Sequence, residues 1–288
     1  MANATRIPMM MSLGLFIWCA SAEAAGVEVN AFKYSDPSFE SNVQVDLSGV
    51  PGVVGASVKT AGGTVQALSS YAPDHYGAWQ GPWTSFAEFH TAAIGDWQLV
   101  IDLTGGDKAV YDFSVNEFGD PFTSDSFPPA PTMTSPSNGQ SGVSPTPTFQ
   151  WDNGGTHTGA LESLYVFVAS QANPAISQFE SSSGGSLTLA SESWTPTVVL
   201  PPGAAYYLVQ YETNQDEDAK VTTPVFNISA STVADPNIPW DLSYGDLFSR
   251  DDIEFTVAPE PATLALLALG FALSLSKGGM ALNRRRRA

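Results

Sequence analysis

The chain is poor in cysteine, in histidine and in positive charge. Its 288 residues include a single cysteine, Cys19, and three histidines, His75, His90 and His157. Lysine and arginine number 11 against 29 acidic residues, which gives a formal net charge of -18. A chain this acidic repels nucleic acid and anionic lipid, so we expect no nucleic-acid partner.

These scarcities also narrow the chemistry that the chain can perform. The sequence contains no HExxH zinc motif and no GxSxG nucleophile elbow. We therefore expect no enzymatic activity, no cofactor and no resident metal. A hydrolase stays open as an alternative, using Asp74 and His75 with a serine, or a pair of carboxylates.

One acidic segment is similar to the start of a calcium-binding loop. It reads NQDEDAK from Asn214, and its candidate ligands are Asp216 and Asp218. An EF-hand loop requires glycine where Ala219 stands and glutamate where Val225 stands, so the full pattern is not met. An acidic, solvated turn is the competing interpretation.

The composition favours an all-β fold. Glycine and proline are frequent, with 25 and 21 residues, whereas only 14% of residues are charged. Segments in which apolar and polar residues alternate predict half-buried strands. They are Ser41–Leu47, Asp96–Leu103 and Ala109–Val115, with further candidates at Val27–Phe32, Val53–Lys59, Thr64–Leu68 and Phe86–Thr91. With turns at Gly62–Gly63 and Gly105–Asp107, they predict a β-sandwich domain over residues 26–121.

A second β-sandwich domain is predicted over residues 133–258, after a proline-rich linker at residues 122–132. The stretch from Ser135 to Trp151 resembles the first strands of bacterial fibronectin type III-like and Ig-like modules. That resemblance implies that Trp151 is a buried strand aromatic. Later strand segments are Leu164–Ala169, Trp194–Thr213 and Ile253–Val257, whereas Ser231–Arg250 does not fit the pattern.

The first 25 residues are typical of a secretory signal peptide. Arg6 precedes an apolar run from Met9 to Ala20, and small residues follow at Ala22 and Ala24. We expect signal peptidase to cleave after Ala24 or Ala25. The apolar run is shorter than the roughly 20 residues that a membrane-spanning helix needs.

The other end of the chain carries a proline-flanked motif, an apolar segment and a basic tail. The motif is Pro259, Glu260 and Pro261, and the apolar segment at residues 262–282 predicts a transmembrane helix. The four arginines that follow mark the cytoplasmic side. They are Arg284, Arg285, Arg286 and Arg287.

This order of motif, helix and basic tail resembles the PEP-CTERM sorting tail of Gram-negative bacteria. The resemblance covers residues 259–288 and implies recognition and cleavage near the motif by an exosortase, a protease of the inner membrane. It also implies a membrane-anchored precursor and a mature form at the cell surface or outside the cell. Proteins of this family commonly accompany extracellular polysaccharide.

The region from Tyr71 to Trp97 is rich in aromatic residues. Trp97 alternates with polar residues and is expected in the core. Trp79 and Trp83 lie in the glycine- and proline-rich sequence GAWQGPW, which predicts a loop, with Tyr76 just before it. Exposed aromatic rings stack on sugars, so these three residues are a candidate glycan-binding site.

The predicted function is that of an exported, non-enzymatic surface or matrix protein, associated with extracellular polysaccharide or with adhesion. Between the two ends, residues 26–258 hold five cations and 27 acids, a balance of -22. A carbohydrate-binding module that uses the aromatic residues near 71–97 is the alternative.

Overall fold

The computed structural model describes residues 25–118, 121–157, 162–183, 185–213, 221–227, 238–242 and 245–259. Strands make up 54% of the structure and helices 5%, which confirms the predicted all-β class. The chain divides into two compact units. Unit 1 contains the chain up to Phe127 and residues Asn214–Phe248, and unit 2 contains Pro128–Thr213 and the chain from Ser249 onward.

Strands are numbered in chain order across both units, and the α-helix is α1. The order is β1 (Ala25–Tyr34), β2 (Phe39–Asp46), β3 (Val53–Lys59), β4 (Val65–Ala72), β5 (His75–Trp83), α1 (Phe86–Ala93), β6 (Gly95–Leu103), β7 (Lys108–Val115), β8 (Thr132–Ser135), β9 (Ser141–Val143), β10 (Phe149–Asp152), β11 (Glu162–Ser170), β12 (Ser177–Ser181), β13 (Ser193–Trp194), β14 (Gly203–Thr213), β15 (Val225–Phe226), β16 (Trp240–Leu242) and β17 (Leu247–Val257).

Unit 1 is built around a large antiparallel sheet with the strand order β1-β2-β5-β4-β3-β6-β7-β15. The short strand β16 pairs in parallel with the start of β1, where Ala25 lies opposite Trp240. The ring of Trp240 lies 5.0 Å from that of Tyr111 on β7. Strand β16 therefore contacts β1 at one end of this strand order and β7, the strand next to the other end.

The core of unit 1 follows the alternation expected of half-buried strands. Val27 and Val29 on β1 face Val45 and Val43 on β2 in the pairing register, and all four are buried. Trp97, which was predicted to be core, is 2% exposed. Its indole Nε1 donates a hydrogen bond to the carbonyl oxygen of Ala93 at 3.0 Å.

The segment Phe86–Thr91 was predicted to be a strand, and that prediction is wrong, because it forms helix α1. Ser85 caps the helix by accepting a hydrogen bond from the backbone N–H of Glu88 at 3.3 Å. The Glu88 carboxylate accepts in turn from the N–H and hydroxyl of Thr84 at 3.0 and 2.9 Å. The serine three residues before a glutamate starts the helix here, and Phe89 lies in the core.

The two units differ from the contiguous domains drawn from the sequence. Phe122 and Phe127, both within the predicted linker, are buried in the core of unit 1. The chain also returns to unit 1 after β14 and supplies β15 and β16 there. The stretch Ser231–Arg250, which fitted no predicted domain, thus contributes the sheet strand Trp240–Leu242.

Unit 2 contains two groups of strands around a second core. One group has the order β12-β11-β14-β17, with β9 parallel to β17, and the other is β13-β10-β8. Leu164, Val166 and Val168 on β11 point into the core, as does every second residue of β14. Alternation along these strands is therefore what separates the inner side of the sheet from the outer side.

Trp151 is 3% exposed, which confirms its predicted burial. Its indole Nε1 donates to the side-chain oxygen of Asn153 at 3.0 Å, so its polar end is satisfied inside the core. Phe149 on the same strand stacks on Tyr207 with ring centroids 3.7 Å apart. Aromatic packing of this kind holds β10 against β14.

Within the described ranges, no helix is long and apolar enough to cross a membrane. The predicted transmembrane helix at 262–282 lies outside those ranges, as does the signal peptide up to Ala24.

Candidate functional site

The outer face of β1 and β2 in unit 1 carries a continuous group of polar side chains. We call this group the polar floor. Glu28 lies opposite Gln44 in the pairing register, and Asn30 lies opposite Asn42. Asp46 continues the row on β2, because residues two apart on a strand share a face.

The polar floor is buried although it faces away from the core. Its five side chains have 8% or less of their surface exposed, and Asn30 has none. Polar side chains on the outward face of a sheet ordinarily stand in water. The floor is therefore sheltered from solvent rather than open, and we name it, with the residues at its edge, the polar recess.

Most of the polar floor is tied into hydrogen bonds. Asn30 donates its side-chain N–H to Glu28, and its oxygen accepts from the backbone N–H of Asp246 at 2.8 Å. The oxygen of Gln44 accepts from the hydroxyl of Tyr71 at 3.0 Å. Asp46 Oδ1 accepts from the backbone N–H of Ser48 at 2.8 Å.

Asn42 is the exception. Its Nδ2 donates a long bond of 3.4 Å to the carbonyl oxygen of Ala78. Among the described residues its Oδ1 has no hydrogen-bond partner, although Asn42 is only 6% exposed. Buried side-chain acceptors are nearly always satisfied, so this oxygen calls for an explanation.

Tyr71 forms one edge of the polar recess and is 44% exposed. Its ring lies over Gly77, where a Cβ atom would stand 3.3 Å from Tyr71 Cε1 and 3.0 Å from the carbonyl oxygen of Val43. A glycine at position 77 therefore allows the ring to lie across the sheet and reach Gln44. Burial, followed by the charges of Glu28 and Asp46, raises the pKa of Tyr71 to about 12.

His75 and Trp79 on β5 complete the edge, and both are half-buried. The ring of His75 stacks beside Tyr71 at 5.9 Å, and its Nδ1 lies 3.7 Å from the carboxylate of Asp46. The indole of Trp79 lies 4.7 Å from the ring of Phe32. Trp79 lies opposite Asn42 in the pairing of β5 with β2. The recess thus has acceptor-rich polar groups at its centre and aromatic rings at its edge.

The prediction of a loop at GAWQGPW is wrong, because these residues belong to strand β5. Gly81 makes this possible: it has a φ of +108°, and a Cβ there would lie 2.9 Å from the carbonyl oxygen of Phe39. The register between β2 and β5 shifts at this place, as in a β-bulge.

The structure does not bring the three predicted glycan-binding residues together. Tyr76 and Trp83 pack against the main core of unit 1, whereas Trp79 packs with Phe32, Tyr34 and Phe248 outside that core. Strand alternation separates Trp79 from Tyr76, and the register shift at Gly81 separates it from Trp83.

Each histidine lies beside a different carboxylate. His90 Nε2 is 3.0 Å from Glu117 Oε1, and His157 Nδ1 is 3.4 Å from Glu162 Oε2. His75 contacts Asp46 rather than its neighbour Asp74. In the part of the chain that the structure describes, no three His, Cys, Asp or Glu residues form a group that could hold a metal.

Several predicted site residues lie outside the described ranges. They are Ala22 and Ala24 of the signal, the calcium candidates Asp216 and Asp218, and the tail residues Glu260, Pro261 and Arg284–Arg287. Of the predicted processing residues, Ala25 begins β1 and Pro259 lies exposed two residues after the end of β17.

The polar recess was not predicted from the sequence. The alternation in Ser41–Leu47 predicts Asn42, Gln44 and Asp46 on the face opposite the valines, which is correct, but a half-buried strand implies that this face is open to water. A usable signal was present in β1, where Glu28 and Asn30 alternate with valines and are followed on the same face by Phe32 and Tyr34. Aromatic residues on the polar side of a strand indicate that this side is also covered.

Comparisons with known proteins assign no family to this fold or to this recess. No protein-family model matches the chain, and a search of curated proteins found no match.

Proposed function

We propose that the chain is an exported, non-enzymatic surface or matrix protein of a Gram-negative bacterium, associated with extracellular polysaccharide or with adhesion. In this proposal, signal peptidase removes the N-terminal segment and an exosortase-like membrane protease processes the tail. Two β-sandwich domains, the second similar to fibronectin type III and Ig-like modules, remain as the mature form.

The observation that carries the proposal is where the strands begin and end. Strand β1 includes Ala25, which is the last residue of the predicted signal and the first that the structure describes, and β17 ends at Val257, two residues before the motif that starts at Pro259. Cleavage after Ala24 and cleavage near Pro259 would therefore fall outside the described strands. Removal of both ends would leave the strands of both units intact.

The charge of the chain between those points supports the same proposal. A balance of -22 over residues 26–258 keeps copies of the protein apart and soluble outside the cell. It also disfavours binding to anionic polymers, so a neutral polysaccharide is the more compatible partner.

The contacts of Ala25 favour one of the two proposed signal cleavage points. Ala25 is fully buried, and its backbone N–H donates to the carbonyl oxygen of Pro239 at 3.0 Å. Cleavage after Ala24 keeps this residue in β1, whereas cleavage after Ala25 removes it. We therefore expect the mature chain to begin at Ala25.

Intact-mass analysis of the protein recovered from the cell surface tests the proposal. The expected form begins at Ala25 and ends near Pro259. A variant with Pro259→Ala and Pro261→Ala is the matched control, and we expect it to accumulate as the membrane-bound precursor. A surface form that retains Arg284–Arg287 would contradict the sorting part of the proposal.

A further inference from the structure

We propose that the polar recess of unit 1 binds a neutral, hydroxyl-rich sugar unit, with Oδ1 of Asn42 accepting a hydrogen bond from a sugar hydroxyl. The inference rests on the proposed function only for the source of the ligand, which is an extracellular polysaccharide.

The side-chain oxygen of Asn42 is buried and has no hydrogen-bond partner among the described residues. An acceptor that is taken out of water without a partner destabilises the folded protein. Its neighbours on the polar floor do not share this defect, since Asn30 and Gln44 both accept hydrogen bonds. A partner supplied from outside the described chain would satisfy the one acceptor of the polar floor that the described residues leave open.

The polar floor offers hydrogen-bond acceptors and negative charge. Asn42 offers an acceptor, and Glu28 and Asp46 add two carboxylates close enough to raise the pKa of Tyr71. The matching ligand therefore donates hydrogen bonds and carries no negative charge. Sugar hydroxyls are donors of this kind, whereas uronate or phosphate groups would be repelled.

Aromatic rings form the edge of the polar recess. Trp79 pairs with Asn42 across β2 and β5, so its indole stands beside the open acceptor. Tyr71 forms the other side of the recess and is substantially exposed. An aromatic ring next to a hydrogen-bonding group is the arrangement that holds a sugar, because the ring contacts the C–H face while polar groups bind the hydroxyls.

The test measures binding of neutral hexasaccharides of glucose, galactose and mannose to the purified full-length chain, with polygalacturonate as the anionic comparison. We expect at least one neutral probe to bind and polygalacturonate to bind at least tenfold more weakly. Asn42→Ala and Tyr71→Ala should each weaken binding of the neutral probe tenfold or more. Gln98→Ala is the matched control, because its amide lies on β6 and bonds Asp112 instead, and its binding should equal that of the parent chain.

A melting curve of each variant separates loss of the site from loss of the fold. Asn42→Ala should melt no lower than the parent chain, since it removes an unpartnered polar atom. No binding by any neutral probe, or equal binding by Asn42→Ala, would overturn the proposal. So would a calcium-dependent rise in the melting temperature that Asn42→Ala abolishes, because it would assign the recess to a cation.

These outcomes are independent of export. Sugar binding by the purified chain can fail while the surface form still begins at Ala25 and ends near Pro259, and the reverse result is equally distinguishable.

Discussion

Asn153 in unit 2 and Asn42 in unit 1 are buried to a similar degree, with 9% and 6% of their surfaces exposed. The side-chain oxygen of Asn153 accepts from the indole of Trp151 at 3.0 Å and from the hydroxyl of Tyr211. The corresponding oxygen of Asn42 accepts from none of the described residues. One asparagine thus completes a core, and the other leaves an acceptor open beside an aromatic edge.

The difference separates a structural role from a binding role for the same residue type. A fully satisfied buried polar group fixes its neighbours, and the rings of Trp151 and Tyr211 in unit 2 are held in this way. An unsatisfied one lowers stability and persists where it serves something other than the fold. Substitution of Asn153 should therefore lower stability, whereas substitution of Asn42 should leave it nearly unchanged.

The largest expected effect lies at Trp151, which Asn153 anchors. Trp151→Ala removes a large aromatic side chain from the core of unit 2 and should lower the free energy of unfolding by about 3–5 kcal/mol. Chemical denaturation followed by circular dichroism measures the loss. Trp151→Phe keeps a ring in the cavity and should lose clearly less. A loss in Trp151→Ala below about 1 kcal/mol would mean that the indole is not a core group.

The next effect is that of Asn153 itself. Asn153→Ala leaves the Trp151 N–H buried without its acceptor, whereas Tyr211 retains the carbonyl oxygen of Leu189 at 3.2 Å. We expect a loss of about 2–3 kcal/mol in the free energy of unfolding, because one buried donor is orphaned.

Asn138→Ala in the same unit is the control for this measurement. Asn138 is exposed and accepts only from the N–H of Glu254 at 3.0 Å, so its loss should stay below about 1 kcal/mol. Equal losses in the Asn153 and Asn138 variants would remove the structural role assigned to Asn153.

More of the fold than of the recess could be predicted from the sequence, because the strands follow from local patterns and the recess does not. Alternation along a strand is local, so β3 was predicted at Val53–Lys59, where it is found. Trp151 was also predicted correctly to be buried. Helix α1 was missed because its cap depends on Ser85 and Glu88, a local signal that was present but not weighed.

The recess could not be predicted in the same way, because it depends on pairing between distant segments. Asn42 meets Trp79 only through the register of β2 with β5. Tyr71 reaches Gln44 only because position 77 has no side chain in its path. The pairing of β16 with β1 likewise depends on tertiary contacts, which no local sequence pattern predicts.

The smallest expected effect is the most informative one for the comparison. Asn42→Ala removes an unpartnered oxygen and a long hydrogen bond to Ala78, so the free energy of unfolding should change by no more than about 0.5 kcal/mol. Asn30→Ala is the matched control. Asn30 lies opposite Asn42, but its oxygen accepts from Asp246 at 2.8 Å and its amide donates to Glu28. Its removal should cost about 1–2 kcal/mol. If both variants lost the same free energy, Asn42 would be a structural residue like Asn153, and the contrast between the two buried asparagines would disappear.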